Sequence, residues 1–225
     1  MYRDDLHPES YGERAICWNE TNLSDSTSPN RGHGLPHDPF KAIVAPRPIG
    51  WISTVDEHGR NNLAPYSFFN AISSNPPMVI FSSEGMKDSV RNAMSTREFV
   101  CNLATTALAE GVNQSSASVA PDVDEFELAK LVTAPCRLVK PLRVAESPAA
   151  LECKVLDVMH LRDLDGRQTN RHLVLGQVVG VHIDESYLDN GLFNTARAVP
   201  LARCGYHDYA SVTKVFQMLR PGEIE

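Results

Sequence analysis

The chain has little of what membrane proteins and nucleic-acid-binding proteins need. It has 28 acidic side chains but only 21 Lys and Arg, which gives a formal net charge of −7. Nucleic acids and anionic membranes are bound by basic surfaces, which this composition does not favour. The N-terminal MYRDDLHPES has no apolar core of a signal peptide, and no apolar run approaches the length of a membrane span. We therefore expect a cytoplasmic protein without nucleic-acid or membrane partners.

Cysteine and histidine are present but lack the spacings of disulfide or metal motifs. The five cysteines include no C-x-x-C pair, and three of them lie in apolar surroundings: Cys101, Cys136 and Cys153. We expect these three to be small, buried, reduced thiols. The eight histidines include no H-x-H and no H-E-x-x-H. His160, His172 and His182 could converge in a barrel, but without a close pair of ligands in the sequence no metal site is predicted.

Three common nucleotide and hydrolase motifs are also absent. The sequence contains no G-x-x-x-x-G-K-[ST], no G-x-G-x-x-G and no G-x-S-x-G. The sequence therefore does not favour nucleoside triphosphate hydrolysis, a Rossmann dinucleotide site or an α/β-hydrolase nucleophile elbow. A dinucleotide, if the protein uses one, is expected to be a passing substrate.

The sequence does contain a series of strand patterns joined by short helices. Residues 49–55 and 61–66 flank a glycine-containing loop and predict a β-hairpin. The Asp165-Gly166 pair predicts a second hairpin between two long strand patterns. The other predicted elements are strands at 78–82, 98–104, 150–161 and 172–183, helices at 88–94, 106–112 and 122–131, and a connector at 188–196.

These patterns predict a mainly β fold, a β-barrel with short helical insertions, because most of the connections look antiparallel. Residues 1–38 are polar and turn-rich and predict an N-terminal extended arm, in which Tyr2, Tyr11 and Trp18 are isolated aromatics. Residues 39–225 are predicted to form one domain.

Hydroxyl side chains and two cations gather in the first half of the predicted barrel. They are Arg47, Ser53, Thr54, Ser67, Ser82, Ser83, Lys87 and Ser89. A phosphate monoester is bound by several short donors and a compensating positive charge. Free N–H groups at the predicted helix start near Asp88 add a further anion site. This stretch therefore predicts the binding site of a phosphate-bearing cofactor. The alternative is an ordinary helix start beside a basic residue.

Two other groups of residues have both a functional and a structural interpretation. The acidic residues 122–127 are interpreted as a solvated helix face rather than an acid–base pair. His172 begins a strand pattern, where it is either a hydrogen-bonding group at a pocket rim or a histidine facing solvent.

Several segments, in chain order, carry a resemblance to a known family. They are RPIGWISTVDEHGRNNLAPYSFFNAISSNPPMVIFSS, KDSVRN, EFVCNLA, NQSSA, DEFELAKL, SPAALECKV, HLVLGQVV and RCGYHDYASV. Together they resemble the flavin reductase-like family over about residues 34–220. The resemblance implies the FMN-binding split barrel, which has Greek-key topology and which flavoredoxin shares. It also implies FMN as the cofactor, near the interface of a homodimer.

The resemblance also implies particular site residues in this chain. The implied cofactor-binding residues are Arg47, Ser53, Thr54, Ser67, Phe68, Asn70, Ser82, Ser83, Lys87, Asp88, Ser89 and Tyr209. His172 is the implied catalytic candidate. In one departure, this chain has Cys204 where the family often has the first glycine of a pair. This change predicts a less close approach of the backbone to the flavin ring.

Three functions remain open at this point. The first is an NAD(P)H-dependent flavin reductase that transfers hydride from NADH or NADPH to FMN. The second is a flavoredoxin-like electron carrier with tightly bound FMN and a protein redox partner. The third is a non-catalytic barrel.

Overall fold

A computed structural model describes residues 35–222, so the predicted arm lies almost wholly outside the described part. The strands are β1 (Arg47–Pro48), β2 (Gly50–Val55), β3 (Asn61–Tyr66), β4 (Phe69–Ser74), β5 (Pro77–Glu84), β6 (Glu98–Leu103), β7 (Thr133–Ala134), β8 (Arg143–Val144), β9 (Ala149–Arg162), β10 (Gln168–Ile183), β11 (Leu188–Asp189), β12 (Leu192–Phe193), β13 (Leu201–Arg203) and β14 (Tyr209–Ser211). The helices are α1 (Phe40–Ile43), α2 (Asp88–Thr96), α3 (Ala109–Gln114), α4 (Glu125–Leu128) and α5 (Thr195–Ala198), with short 3-10 helices at Thr106–Leu108 and Glu185–Tyr187.

Seven of these strands form one antiparallel sheet in the order β3-β2-β6-β9-β10-β5-β4. Its edge strands β3 and β4 are separated in sequence only by Ser67 and Phe68, and β3 also contacts β5. The sheet therefore curls until its two edges approach each other. A smaller sheet, β1-β13-β14, brings the end of the chain back beside Arg47. The predicted mainly β fold is confirmed.

Both predicted hairpins are present. Strands β2 and β3 pair from Gly50 opposite Tyr66 to Val55 opposite Asn61. Strands β9 and β10 are joined by a turn in which Gly166 has φ of +77°, a conformation that favours glycine. The hairpin signals were reliable because a tight turn is decided by residues adjacent in sequence.

Strand β2 lies at the centre of the packing because both of its faces are buried. Alternate side chains of a strand point to opposite faces, so Ile52 enters one apolar cluster and Trp51 enters another. The first cluster fills the space inside the curled sheet around Phe81 and Phe99. The second lies under α3 and α4 and includes Phe126. Trp51 is fully buried, and its Nε1 donates to Ser115 Oγ at 2.9 Å.

Several predicted elements differ from the structure. Residues Phe69–Ser74 form the edge strand β4, which was not predicted because its side chains are mostly exposed and lack a clear apolar alternation. The predicted helix 122–131 is only Glu125–Leu128, and Asp124, not Asp122, caps it by accepting from Phe126 N–H at 2.8 Å. The predicted connector 188–196 contains a small hairpin, β11-β12, and the start of α5. Cys136 is only partly buried, unlike Cys101 and Cys153.

Gly176 in β10 provides a test of this packing. A Cβ atom at Gly176 would overlap the Phe99 ring, which is fully buried and cannot move aside. We expect Gly176→Ala to lower the free energy of unfolding by about 1–3 kcal/mol through overpacking. A urea titration measures this change. Gly111→Ala is the matched control, because its Cβ would meet only the end of the Leu131 side chain, at 3.0 Å. Equal midpoints for the two variants would contradict the packing described here.

Candidate functional site

A polar cleft of about 340 Å³ opens where β3 meets the start of α2. Its walls come from four segments that are distant in sequence. They are the β3 residues 62 and 64–66, residues 86–89 and 91 at the start of α2, residues 115–119 after α3, and Glu125 of α4. Most of these residues offer hydroxyl, amide or charged groups. The cleft is therefore suited to a polar ligand.

The positive charge available in the cleft is that of Lys87. The Arg91 guanidinium is already used, because it pairs with the Asp88 carboxylate and donates to the Met86 carbonyl at 2.6 Å. The exposed Lys87 ammonium, by contrast, has neither a hydrogen bond nor an ion pair with residues 35–222. No side chain of the described chain caps the N terminus of α2. An anion in the cleft would therefore meet a free ammonium group beside the positive end of a helix dipole.

A buried hydrogen-bond network holds the floor of the cleft. Asn62 Nδ2 donates to Ser89 Oγ at 2.9 Å and to Thr54 Oγ1 at 3.2 Å. Thr54 Oγ1 also accepts from Asn92 Nδ2 at 3.1 Å. Thr54 is fully buried and Ser89 nearly so. The network links β2, β3 and α2, and it fixes the position of the Ser89 hydroxyl.

The hydroxyl of Tyr66 is a buried polar group with unused bonding capacity. Its Oη makes no hydrogen bond of normal geometry within the described chain. Burial raises the pKa of the Tyr66 phenol, while the nearby hydroxyls of Ser89 and Ser83 act in the opposite direction. Buried polar atoms are nearly always paired in native proteins, so an orphan at the wall of a cleft is a candidate ligand contact.

Glu125 is an exception to the interpretation of residues 122–127 as a solvated acidic face, whereas Asp122 and Glu127 are exposed as expected. The Glu125 side chain is only 7 % exposed and lines the cleft. The carboxylate Oε2 accepts from Leu63 N–H at 3.0 Å. Burial raises the pKa of Glu125 above its ordinary value, and the negative charges of Asp88 and Asp124 act in the same direction. The sequence could not show this, because the burial comes from β3.

Three of the residues implied by the family resemblance line the cleft together: Lys87, Asp88 and Ser89. Thr54 lies one layer below them in the buried network. Ser83 is fully buried, and its Oγ donates to the Gly85 carbonyl at 3.1 Å.

The structure places Ser53 and Arg47 away from this cleft. Ser53 is fully buried, and its Oγ donates to the Leu142 carbonyl at 2.6 Å. Arg47 is also buried, and its guanidinium donates to three backbone carbonyls: those of Lys41, Val44 and Cys204. Arg47 thus ties α1 and the loop after β13 to β1, and its charge is not free.

The remaining implied residues lie beyond the cleft wall. The Phe68 ring lies near two guanidinium groups, those of Arg47 at 5.8 Å and Arg171 at 5.7 Å. Ser67 adjoins Phe68, and Ser82 donates its backbone N–H to the Phe68 carbonyl at 2.8 Å. Asn70 is exposed and bonds the next backbone N–H.

Tyr209 and His172 are also separate from the cleft. The Tyr209 ring lies 4.3 Å from the Arg203 guanidinium. His172 lies opposite Ser83 in the sheet and stacks on His160, with ring centroids 4.4 Å apart. Its Nδ1 is buried without a partner in the part of the chain that the structure describes. Burial, followed by the neighbouring His160, lowers the pKa of His172.

Sequence reasoning missed several contributors to the cleft, among them Asn62, Tyr66, Arg91, Glu125 and residues 115–119. The hydroxyls of Ser115, Ser116 and Ser118 were a usable signal, since they form a dense run directly after a predicted helix. Arg91 could also have been predicted from the sequence, because it lies one helical turn after Lys87. Nothing local marked Asn62 or Glu125.

A second cavity, of about 390 Å³, is far more apolar. It lies between β1, β6 and β13 and is lined mainly by residues such as Pro46, Ile49, Phe69 and Leu201. Because it presents no cation, it does not suit a phosphate. Of these two cavities, the polar cleft is therefore the candidate phosphate site.

Comparison with known proteins agrees with this architecture. Residues 44–202 match the model of the flavin reductase like domain. The YwrF protein of Bacillus subtilis is 34% identical over 194 residues, which span 82% of this chain and 94% of YwrF. The structure of nitrilotriacetate monooxygenase component B from Bacillus cereus has 28% identity and a TM-score of 0.75, and the match covers 80% of this chain and 90% of that one. A split barrel domain from Shewanella frigidimarina, at 20% identity, has a TM-score of 0.75 and covers 92% of this chain and 100% of that one.

The chain belongs to the flavin reductase-like family and has its split-barrel fold. The family and the fold expected from the sequence are therefore confirmed. Among residues 35–222, no helix has both the length and the apolar character needed to span a bilayer.

The raised pKa of Glu125 predicts a pH-dependent stability. Because the folded protein holds this proton more tightly than the unfolded chain, stability should fall as the pH rises from the ordinary Glu pKa of about 4.3 through the higher folded value. Gln has no such ionisation, so Glu125→Gln should be more stable than the wild type at pH 8, with the difference shrinking at pH 4. Urea unfolding at the two pH values measures this. Exposed Glu127→Gln is the control, and the same pH response from both variants would contradict the prediction.

Proposed function

We propose that the polar cleft binds FMN and that the protein is a flavin reductase, which transfers hydride from NADH or NADPH to FMN. The observation that carries the proposal is the free Lys87 ammonium beside the uncapped start of α2. Together with the Ser89 hydroxyl, these groups make a cradle for a phosphate monoester.

The cleft fits the size and polarity of such a ligand. Binding sites for cofactors are commonly clefts of about 300–1,000 Å³ with a few well-placed polar groups, and this cleft measures about 340 Å³. The hydroxyls of Ser116 and Ser118 and the orphan Tyr66 Oη add donors or acceptors along its walls. These groups could bind the hydroxyl-rich side chain and the phosphate of FMN.

Each residue of the cradle has a separate role in the proposal. Lys87 and the first N–H groups of α2 hold the phosphate, and a charge-assisted bond of this kind contributes about 1.5–3 kcal/mol. Asn62 and Thr54 keep the Ser89 hydroxyl in place. The Arg91–Asp88 pair contributes little net charge, so it neither attracts nor repels the phosphate strongly. Glu125 lines the cleft, and burial together with the negative charges of Asp88 and Asp124 raises its pKa, which disfavours a second negative charge beside the phosphate.

When bound, FMN supplies a ring that takes up hydride, so the side chains need not provide a nucleophile or a metal. A catalytic role for His172 stays a prediction from the family resemblance, because its side chain lies outside the cleft, opposite Ser83, with a buried and unpartnered Nδ1.

The comparisons support the proposal. The Bacillus cereus protein is one component of a monooxygenase, which supports an oxidoreductase role for this chain. Family membership favours a homodimer. Apolar side chains exposed along the C-terminal segment are consistent with burial by a second copy: Val215, Phe216, Met218 and Leu219. We also propose a cytoplasmic location.

The phosphate cradle predicts the effect of Lys87→Ala. Loss of its charge should weaken FMN binding at least tenfold, equivalent to about 1.4 kcal/mol. Fluorescence titration of the apoprotein with FMN measures the affinity. Lys140→Ala, another exposed lysine outside the cleft, should bind FMN like the wild type. Unchanged affinity in folded Lys87→Ala would remove Lys87 from the cradle.

The reaction itself is tested by anaerobic titration of the FMN-loaded protein with NADH and NADPH. We expect at least one donor to bleach the flavin absorbance rapidly. Slow bleaching with retained FMN, accelerated by a protein partner, would support the flavoredoxin-like carrier instead. A folded protein that binds no FMN at all would leave only the non-catalytic barrel.

A further inference from the structure

Three side chains of metal-binding type converge outside the polar cleft. They are Cys136, in the loop between β7 and β8, Glu152 of β9 and His182 of β10. Their possible ligand atoms, one thiol sulfur, one carboxylate oxygen and one imidazole nitrogen, all lie within 4.8 Å of one another. No short sequence spacing links them, which is why no metal motif was visible in the sequence.

The sheet register creates this arrangement. Glu152 of β9 lies directly opposite Gly180 of β10. His182 is two residues after Gly180 in β10, so the side chains of Glu152 and His182 lie on the same face of the sheet. A Cβ atom at Gly180 would approach the Glu152 carboxylate to 3.3 Å. The glycine therefore leaves room for the carboxylate to meet the His182 ring diagonally across the strands.

The Glu152 carboxylate is held rigidly in place. It is 1 % exposed and accepts backbone N–H bonds from Arg137 at 3.0 Å, Leu138 at 2.5 Å and Val139 at 3.0 Å. These three residues directly follow Cys136, so the loop that presents the thiol also orients the carboxylate. In metal sites, hydrogen bonds from groups that do not touch the metal fix the orientation of the ligands in this way.

We propose that Cys136, Glu152 and His182 bind one divalent ion of the zinc class. A mixed sulfur, nitrogen and oxygen set favours Zn²⁺ over Mg²⁺ or Ca²⁺, which prefer oxygen ligands alone. Three protein ligands leave a fourth position for water. The His182 side chain is 20% exposed and Cys136 is partly exposed, so the ion and the water have access.

Charge and proton balance agree with such a site. The thiolate and the carboxylate together carry two negative charges, which a divalent cation neutralises. On binding, the thiol proton leaves to solvent together with any proton between His182 Nε2 and Glu152 Oε1, which are 2.5 Å apart. The ion takes the place of these protons.

A nucleophilic role for Cys136 is less consistent with its surroundings. Burial, followed by the negative charge of Glu152, raises the pKa of the Cys136 thiol to about 11, although Arg143 acts in the opposite direction. Without a bound ion this thiol is therefore a poor nucleophile, whereas coordination to a divalent ion removes its proton.

The test uses full-length protein freed of metal by a chelator. Zn²⁺ is titrated against a chromophoric chelator, and we expect one ion per chain. Cys136→Ser and His182→Gln should each weaken the binding at least tenfold. Cys204→Ser is the matched control, because Cys204 is also a partly exposed free thiol but lies outside the cluster. It should bind Zn²⁺ like the wild type.

Cobalt gives a second readout that needs no affinity measurement. Co²⁺ added to the wild type should produce a thiolate-to-cobalt charge-transfer band in the near ultraviolet, absent from Cys136→Ser. No Zn²⁺ binding by folded wild type, or binding and a band that both variants retain, would overturn the proposal. FMN affinity is measured on the same samples, so failure of the cleft and failure of the metal site are distinguished.

Discussion

The polar cleft depends on Thr54, a fully buried hydroxyl that accepts hydrogen bonds from Asn62 and Asn92. A buried polar group without partners costs about 1–3 kcal/mol, so β2, β3 and α2 must keep the positions that satisfy it. That requirement places the start of α2 against the end of β3. Lys87 and Ser89 then face residues 115–119 across the opening. The packing of β2 between two apolar clusters makes the arrangement rigid.

Two buried carboxylates show how nearby hydrogen-bond donors and charges set the direction of a pKa shift. Burial alone would raise the pKa of both Glu152 and Glu125. At Glu152, backbone N–H groups and His182 outweigh burial and hold the pKa below its ordinary value. At Glu125, burial raises the pKa, and the negative charges of Asp88 and Asp124 act in the same direction. The hydrogen bond from Leu63 N–H opposes this shift but does not outweigh it. The two pKa values therefore shift in opposite directions although both acids are buried.

Sequence reasoning succeeded where the deciding interactions are local. The hairpin turns, the start of α2 at Asp88 and the continuous apolar strand at 78–82 were read directly from neighbouring residues. It was less successful for adjacent residues with different surroundings. Ser53 and Thr54 were treated alike, yet alternation along β2 sends Ser53 toward Leu142 and Thr54 toward the cleft network. Arg47 was predicted near a cofactor, but backbone carbonyls from both ends of the domain occupy its guanidinium.

The sequence by itself was sufficient for the family, the mainly β fold and the grouping of Lys87, Asp88 and Ser89, because ordered motifs and helix-start chemistry are written in neighbouring residues. Only the tertiary structure brought Asn62 and Glu125 to the cleft, and only strand register brought His182 to Glu152 and Cys136. These contacts join residues far apart in the chain. They follow from the order in which the strands pair, and that order is a property of the whole packed sheet.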